Sequence, residues 1–383
     1  MNIGIICEYS PFHNGHLYHI NKIKEMYKDC NIILVMSSLF LERGEVSILD
    51  KWDKTEIALN MGVDVVVELP FIFSSQSADI FAYGAIEILK NMNVDKIVFG
   101  SEINDIRILN EIASIQINNK EFDNEVKNYL DEGFNYPTSL SKAINDKIGY
   151  TVDNPNDLLG ISYIKQILLQ KANIEPICIK RTSDFNSKKL TGTITSASSI
   201  REAIKKNKSI KKYVPNIVYK YLKNNTYFNE DYLLYLKYKI ISEIDNLNSY
   251  QTVDEGIEGR IKKYIFESNN WEELVNKIKT KRYTYNKINR MLIHILCGFT
   301  KKEASKYKHN EYIRILGFNE NGKKHLNKIK KNSNLPIITG YSNTNSEILN
   351  IEYRVSNIYY MANKEKNKTI LMKREYQNSP IIK

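Results

Sequence analysis

Residues 2–20 read NIGIICEYSPFHNGHLYHI. The first eight are short-stretch apolar and rich in isoleucine, as a strand buried on both faces must be. The remainder carries His13, His16 and His19 at a three-residue step, with Pro11 ahead of them and Gly15 between the first two, and then continues at helical spacing. The chain has only six histidines, so placing three in one turn points to chemistry there. A strand that passes directly into a helix puts that turn at the carboxyl edge of a sheet, beside a helix N-terminus whose unpaired N–H groups attract anions. His13 and His16 can face one side of the turn. Two imidazoles beside a helix dipole suit a polyphosphate, because they can donate hydrogen bonds to the charge that develops during attack on an α-phosphate.

The pattern repeats. NIILVMSS (31–38), VDVVVELP (63–70) and VDKIVFG (94–100) read as further buried strands, alternating with amphipathic HLYHINKIKEMYK, DKWDKTEIALNMG and SADIFAYGAIEILKNM. Such alternation predicts an α/β fold with a parallel sheet, helices on both faces and ligands at the carboxyl ends of the strands. Residues 105–150 read as two or three inserted helices. A helix opening at Asn154-Pro155, a fifth strand EPICIKR (175–181) and a helix from TSASSIREAI (195–204) follow. From about residue 205 the chain reads as helical and Tyr/Lys-rich, LPIITGYSN (335–343) excepted. The expected division is 1–204, holding the insertion, and 205–383.

Composition agrees with a globular chain: 383 residues, 42% hydrophobic, no apolar run long enough to span a membrane. The N-terminus lacks a basic segment and a cleavage site, and four dispersed cysteines (7, 30, 178, 297) read as reduced thiols, so a cytoplasmic location is expected. The net charge of +11 is uneven: residues 1–200 hold 19 Lys/Arg against 26 Asp/Glu, residues 201–383 hold 36 against 18. A strongly basic half implies a polyanionic partner, with nucleic acid preferred to membrane, although a Lys-rich solvated surface is the plain alternative.

His13-Asn14-Gly15-His16 resembles the HxGH signature of the nucleotidylyl-transferase superfamily. EYSPFHNGHLYHI, FLERGEVSILDKW (40–52), VDVVVELPF, FGSE (99–102), NPNDLLGISYI (154–164) and KTKRYTYNKINRML (279–292) together resemble, in order, the bacterial tRNA(Met) cytidine acetate ligase family. That resemblance implies a Rossmann-like nucleotidyltransferase domain followed by a mainly α-helical basic tRNA-binding domain. It also implies acetate activation by ATP (Mg²⁺ with it) to acetyl-adenylate, and acetyl transfer to the wobble cytidine of elongator tRNA(Met), giving N4-acetylcytidine. Acetate and tRNA are then the partners, with no membrane and no protein partner.

Carried over by position, catalysis falls to His13 and His16. The ATP site is Cys7, Glu8, Tyr9, Ser10, Pro11, Phe12, His13, Asn14, Gly15, His16, Leu17, Tyr18, His19 and Ile20, with Gly100 and Arg181 at strand ends and Asn156 at a helix start. The chain departs from the family wording at Ser10, Ser38, Glu42, Val46 and Lys54, where Asn, Gly, Gln, Pro and Arg are expected, and these changes bear on acetate rather than nucleotide.

Other residues carry two readings each. Ser198, Ser199 and Arg201 resemble a second phosphate motif, or form an ordinary helix cap. Lys279, Lys281, Arg282 and Arg290, interleaved with tyrosines, suit RNA, or form a solvated helix face. Glu8 and Glu68 suit Mg²⁺ or a ribose hydroxyl, or a salt bridge. Arg43 and Lys51 suit phosphate or acetate, or surface ion pairs. A zinc site at His13 and His16 is disfavoured because no second Cys/His cluster exists, and no metal ligand is assigned. The competing functions are a small-molecule adenylyltransferase of the pantetheine-phosphate type, which leaves the basic half without a task, and a non-catalytic RNA-binding relative.

Overall fold

The computed structural model describes residues 1–117, 119–181, 194–331, 333–343, 345–363 and 368–383. Strands β1 (Asn2–Cys7), β2 (Asn31–Ser37), β3 (Val65–Leu69), β4 (Lys96–Ser101) and β5 (Glu175–Lys180) pair in parallel in the order β5-β4-β1-β2-β3. Helix α1 (Asn14–Met26) follows β1, and α2 (Lys51–Asn60) follows β2. The strand order reverses between β1 and β4, the place where a crevice opens at the carboxyl ends. β1 leads into the histidine turn and β4 ends at Gly100-Ser101, so these two segments flank that crevice.

The sheet also recruits the second half of the chain. β6 (Ile313–Phe318) adds antiparallel to β3, and β7 (Ile337–Ile338) and β8 (Ile381–Ile382) pair with β6. The stretch 312–318 was expected to be helical. Arg314 interrupts its apolar run and disguises it, yet Arg314 is buried. Alternate residues of β2 divide between two apolar cores: Ile33 and Val35 in one, Ile32, Leu34 and Met36 in the other. The larger core continues through Leu236, Ile261, Leu274, Leu292 and Val355, so most of the basic half packs against one face of the sheet, while Ile210, Val214, Val218 and Leu222 join the other core. No helix among the described residues is long and apolar enough to cross a membrane.

On the α2 side of the sheet, with the smaller core, lies a fully buried ion cluster. Lys51 bonds Glu68 and Glu375, each at 2.6 Å, and Arg314 bonds the same two carboxylates. Glu68 is therefore a salt-bridge residue, and Lys51 is structural; the phosphate or acetate contact expected of Lys51 does not occur because its ammonium is enclosed. Arg374, next to Glu375 on the C-terminal helix Lys368–Gln377, bonds Asp50, the N-cap of α2. The C-terminal helix thus ties down the start of α2.

Burial alone would raise the Glu375 carboxyl, but Arg314 and Lys51 outweigh it and hold it down to about 2. A depressed carboxylate stabilises the fold above its unfolded value and loses that contribution as pH falls. Glu375→Ala leaves Glu68 alone to balance two buried cations and should destabilise the protein by about 3–5 kcal/mol at neutral pH, read as a lowered urea midpoint. The deficit relative to wild type should shrink as pH falls below about 4.

Candidate active site

The first turn of α1 is capped by its own histidines. His13 is the N-cap, and its Nδ1 accepts from the Gly15 N–H at 3.0 Å; the Nδ1 of His16 accepts from the His13 N–H at 3.2 Å. With Nδ1 an acceptor in both, each neutral ring carries its proton on Nε2. The rings stack with centroids 3.9 Å apart and an interplanar angle of 26°, and Tyr9 packs edge-on against His16. Burial pushes His13 down to about 3, with Arg181 and Arg201 adding to the effect. Burial, His13 and Arg181 hold His16 well below the usual imidazole range. The turn therefore offers two neutral N–H donors at physiological pH. Gly15 was expected to admit a ligand; the structure gives a closer reason, since a Cβ there would lie 2.8 Å from His13 Cε1. Only glycine lets the His13 ring fold back onto the helix start.

These rings line a cavity of about 1000 Å³. Of the expected site residues, Cys7, Glu8, Tyr9, Ser10, Tyr18, His19, Gly100, Asn156, Arg181, Ser198, Arg201, Arg282 and Arg290 join His13, Gly15 and His16 around it. Others lie elsewhere. Phe12 and Ile20 belong to the apolar core, Leu17 packs against it and Pro11 is buried. Asn14 donates to the carbonyls of Tyr213 and Lys212. Ser199 is buried against Ser196, which caps the helix Ala197–Lys205. Lys279 bonds the Thr280 carbonyl beside Tyr285, and Lys281 is exposed. Burial pushes the Cys7 thiol up to about 12, which favours the protonated thiol.

At the β4 end, Arg181 lies across Gly100, where a Cβ would be 3.1 Å from its Cγ. Arg181 pairs with Glu102 at 3.3 Å, and Asn156 donates to the same carboxylate at 2.7 Å. Glu102 Oε2 is buried without a hydrogen-bond partner among the described residues, which fits a ligand hydroxyl or base edge beside it. Glu102 was missed in sequence, although FGSE contains it; nothing in the pattern says that a carboxylate two residues past a strand end turns back. Asp157 turns it, by accepting from the Ser101 hydroxyl and the Glu102 N–H.

The segment 39–50 covers one side of the cavity through Glu42, Arg43 and Glu45 and is held from both sides. Glu8 accepts from the Glu42 N–H at 2.8 Å, Ser10 Oγ accepts from the Ile48 N–H, and Arg201 bridges the Ser10 carbonyl and Glu45. From the basic half, Arg290 donates to the Glu42 carbonyl and carboxylate, and Asn229 bonds both Gly44 and Val46. Gly44 has φ +70° and lies so close to the Arg290 backbone that a Cβ would come within 2.1 Å of its nitrogen. Lys54, one departure from the family wording, is buried on the carbonyls of Glu8, Ser37 and Ser38, and burial lowers it to about 7. Burial raises Glu8 to about 7, and its carboxyl faces the cavity. The inserted helices close another side with Phe134, Tyr136 and Leu140, while Asp79, Asp131 and Asp153 make part of the lining acidic. Arg282, Lys287 and Arg290 make another part basic. Among the described residues no group of three metal-ligating side chains comes together.

The HIGH Nucleotidyl Transferase family model matches residues 1–374. The tRNA(Met) cytidine acetate ligase of Clostridium novyi is 38% identical, covering 100% of this chain and 99% of its own. That of Caldicellulosiruptor saccharolyticus is 39% identical, covering 99% and 98%. The crystal structure of apo Thermotoga maritima TmcAL superposes with a TM-score of 0.92 at 28% identity, over 100% of this chain and 99% of that one. The same protein bound with alpha-thio ATP superposes at 0.90 and 29%. With the signature, the fold and near-complete matches in agreement, this chain belongs to the tRNA(Met) cytidine acetate ligase family of HIGH nucleotidyl transferases.

Proposed function

We propose that the protein activates acetate with ATP and passes the acetyl group to the wobble cytidine of elongator tRNA(Met). The observation that carries this reading is one cavity in which the Nε2–H donors of His13 and His16 share walls with Arg282, Lys287 and Arg290 of the basic half. Full-length relatives named as tRNA(Met) cytidine acetate ligases, and the alpha-thio ATP complex of T. maritima TmcAL, support it. A small-molecule adenylyltransferase would not need the basic wall. A non-catalytic relative would not need two buried donors at a helix N-terminus.

The chemistry divides in two. An acetate oxygen attacks the α-phosphorus of ATP, the bond to the β-phosphate oxygen breaks, and pyrophosphate leaves with that electron pair. The two imidazole N–H donors and the α1 N-terminus meet the charge that builds on the phosphate oxygens, in a site from which much water is excluded. Arg181, Arg201 and Ser198 line the same cavity and suit the rest of the triphosphate, with Mg²⁺ arriving on the nucleotide. The cytidine N4 then attacks the acetyl carbonyl carbon, the acyl–oxygen bond breaks, N4 loses a proton, and AMP leaves. The segment 39–50 supplies the roof under which both steps occur.

The decisive experiment is mass spectrometry of the wobble nucleoside of tRNA(Met) after incubation with ATP and isotopically labelled acetate. Label in N4-acetylcytidine is expected; ATP turnover without acetate, leaving the tRNA unmodified, would overturn the reading. His16→Ala should lower acetate-dependent ATP–pyrophosphate exchange by roughly 10²-fold or more, with a smaller change in KM for ATP. Gly15→Ala should be nearly as damaging, because it displaces the His13 ring while the helix remains folded. The imidazole pKa values of wild type are depressed, so the rings stay neutral as pH falls; any titration of exchange between about pH 5.5 and 8 should belong to Glu8, raised to about 7, measured as its loss in Glu8→Gln.

A further inference from the structure

The helix Ala197–Lys205 ends in KKNKSIKK, residues 205–212, a run that neither the nucleotide site nor the Lys279–Arg290 stretch uses. Its form is fixed. Asn207 stops the helix with φ +53°, the Lys208 N–H closes back on the Ala203 carbonyl, and Ile210 is buried in the core. Asn14, the residue between His13 and Gly15, donates from its backbone to Tyr213 and from its side chain to Lys212, each at 3.0 Å. The lysine turn is therefore joined directly to the first residue of the HxGH helix.

Its charges are available. Lys205 and Lys206 pair with Glu230 and Glu202, but Lys208, Lys211 and Lys212 are exposed and form no ion pair among the described residues. None of the three lines the nucleotide cavity, so they are not there for the triphosphate. The turn's one large apolar side chain points inward, which leaves nothing to insert into a lipid surface. A preorganised row of free ammonium groups beside a catalytic turn suits successive phosphodiesters of an RNA strand.

We propose that Lys208, Lys211 and Lys212 form an RNA-backbone contact that holds the phosphates next to the reacting nucleotide against the HxGH helix. The proposal rests on the tRNA reading above. Because the turn hangs on Asn14, the phosphates it meets must be those nearest the nucleotide that enters the cavity, not those of a distant arm of the tRNA.

The test is the triple variant K208Q/K211Q/K212Q of the full chain, with binding measured against salt for tRNA(Met) and for its isolated anticodon stem-loop. Loss of two to three phosphate contacts should flatten the log–log salt slope by roughly 2 and weaken binding of both RNAs about tenfold or more near 0.15 M salt. Acetate-dependent ATP–pyrophosphate exchange without RNA should stay within about twofold of wild type. Unchanged slope and affinity in the variant overturn the proposal, as does a defect seen with whole tRNA but absent with the stem-loop. An equal fall in RNA-free exchange also overturns it, because the turn would then act only by supporting α1. If wild-type protein binds neither RNA, the failure belongs to the tRNA reading itself, and the turn's role falls with it.

Discussion

The site depends on two histidines that cap the helix they begin. A backbone N–H would ordinarily be bonded by a Ser, Asp or Asn at this position; here imidazole Nδ1 atoms do it, at 3.0 and 3.2 Å. That choice settles the tautomer, points the chemistry to Nε2 and fixes two rings in a 3.9 Å stack. Burial beside Arg181 and Arg201 then removes the option of charge. A neutral donor needs less desolvation than an imidazolium and remains constant across physiological pH. The Gly15 requirement follows from the same geometry, since the space above its Cα is filled by the His13 ring.

The second constraint is the segment 39–50, which is bonded to both halves of the chain. On one side it is held by Glu8, Ser10 and Arg201, on the other by Arg290, Asn229, Tyr359 and Tyr360. Beyond it, Asp50 and Lys51 at the start of α2 are gripped by Arg374 and Glu375. A charge cluster this deep contributes little net stability, because desolvation offsets most of its Coulomb gain. Its consequence is specificity: only one placement of the C-terminal helix satisfies Lys51, Arg314, Glu68 and Glu375 together. The roof of the cavity is thereby referenced to the end of the chain.

Polarity within the cavity follows the origin of its walls. The inserted helices bring Asp131, Phe134 and Tyr136, whereas the helix Tyr285–Cys297 and the turn before it bring Arg282, Lys287 and Arg290. Arg290 shows how a basic residue can belong to a binding surface by sequence and to the architecture by contact: its guanidinium is only 12% exposed and holds Glu42. Lys208, Lys211 and Lys212, by contrast, form no ion pair among the described residues.

Much was legible in the chain itself. Nearly continuous apolar runs and the helices between them dictated a parallel sheet, because strands buried on both faces are apolar on both; Glu68 of β3 is the exception, held by buried ion pairs. HNGH directly after the first of these runs marked a turn that opens onto the cavity, and Gly100, Asn156 and Arg181, carried over from the family resemblance, line the same cavity. Tertiary structure alone decided the rest. Arg314 hid β6, because a charge in an apolar run reads as surface until its partners, 246 and 61 residues away, are seen. Lys51 carries the charge expected of a phosphate contact, and only its burial between Glu68 and Glu375 shows it to be structural. Glu102 came beside Arg181 and Asn156 because Asp157 holds its backbone, and Asn14 bonds Lys212 instead of lining the cavity. Spacing along a chain tells which side chains can share a face; which of them find a partner across the fold depends on contacts far apart in sequence, and no local pattern encodes those.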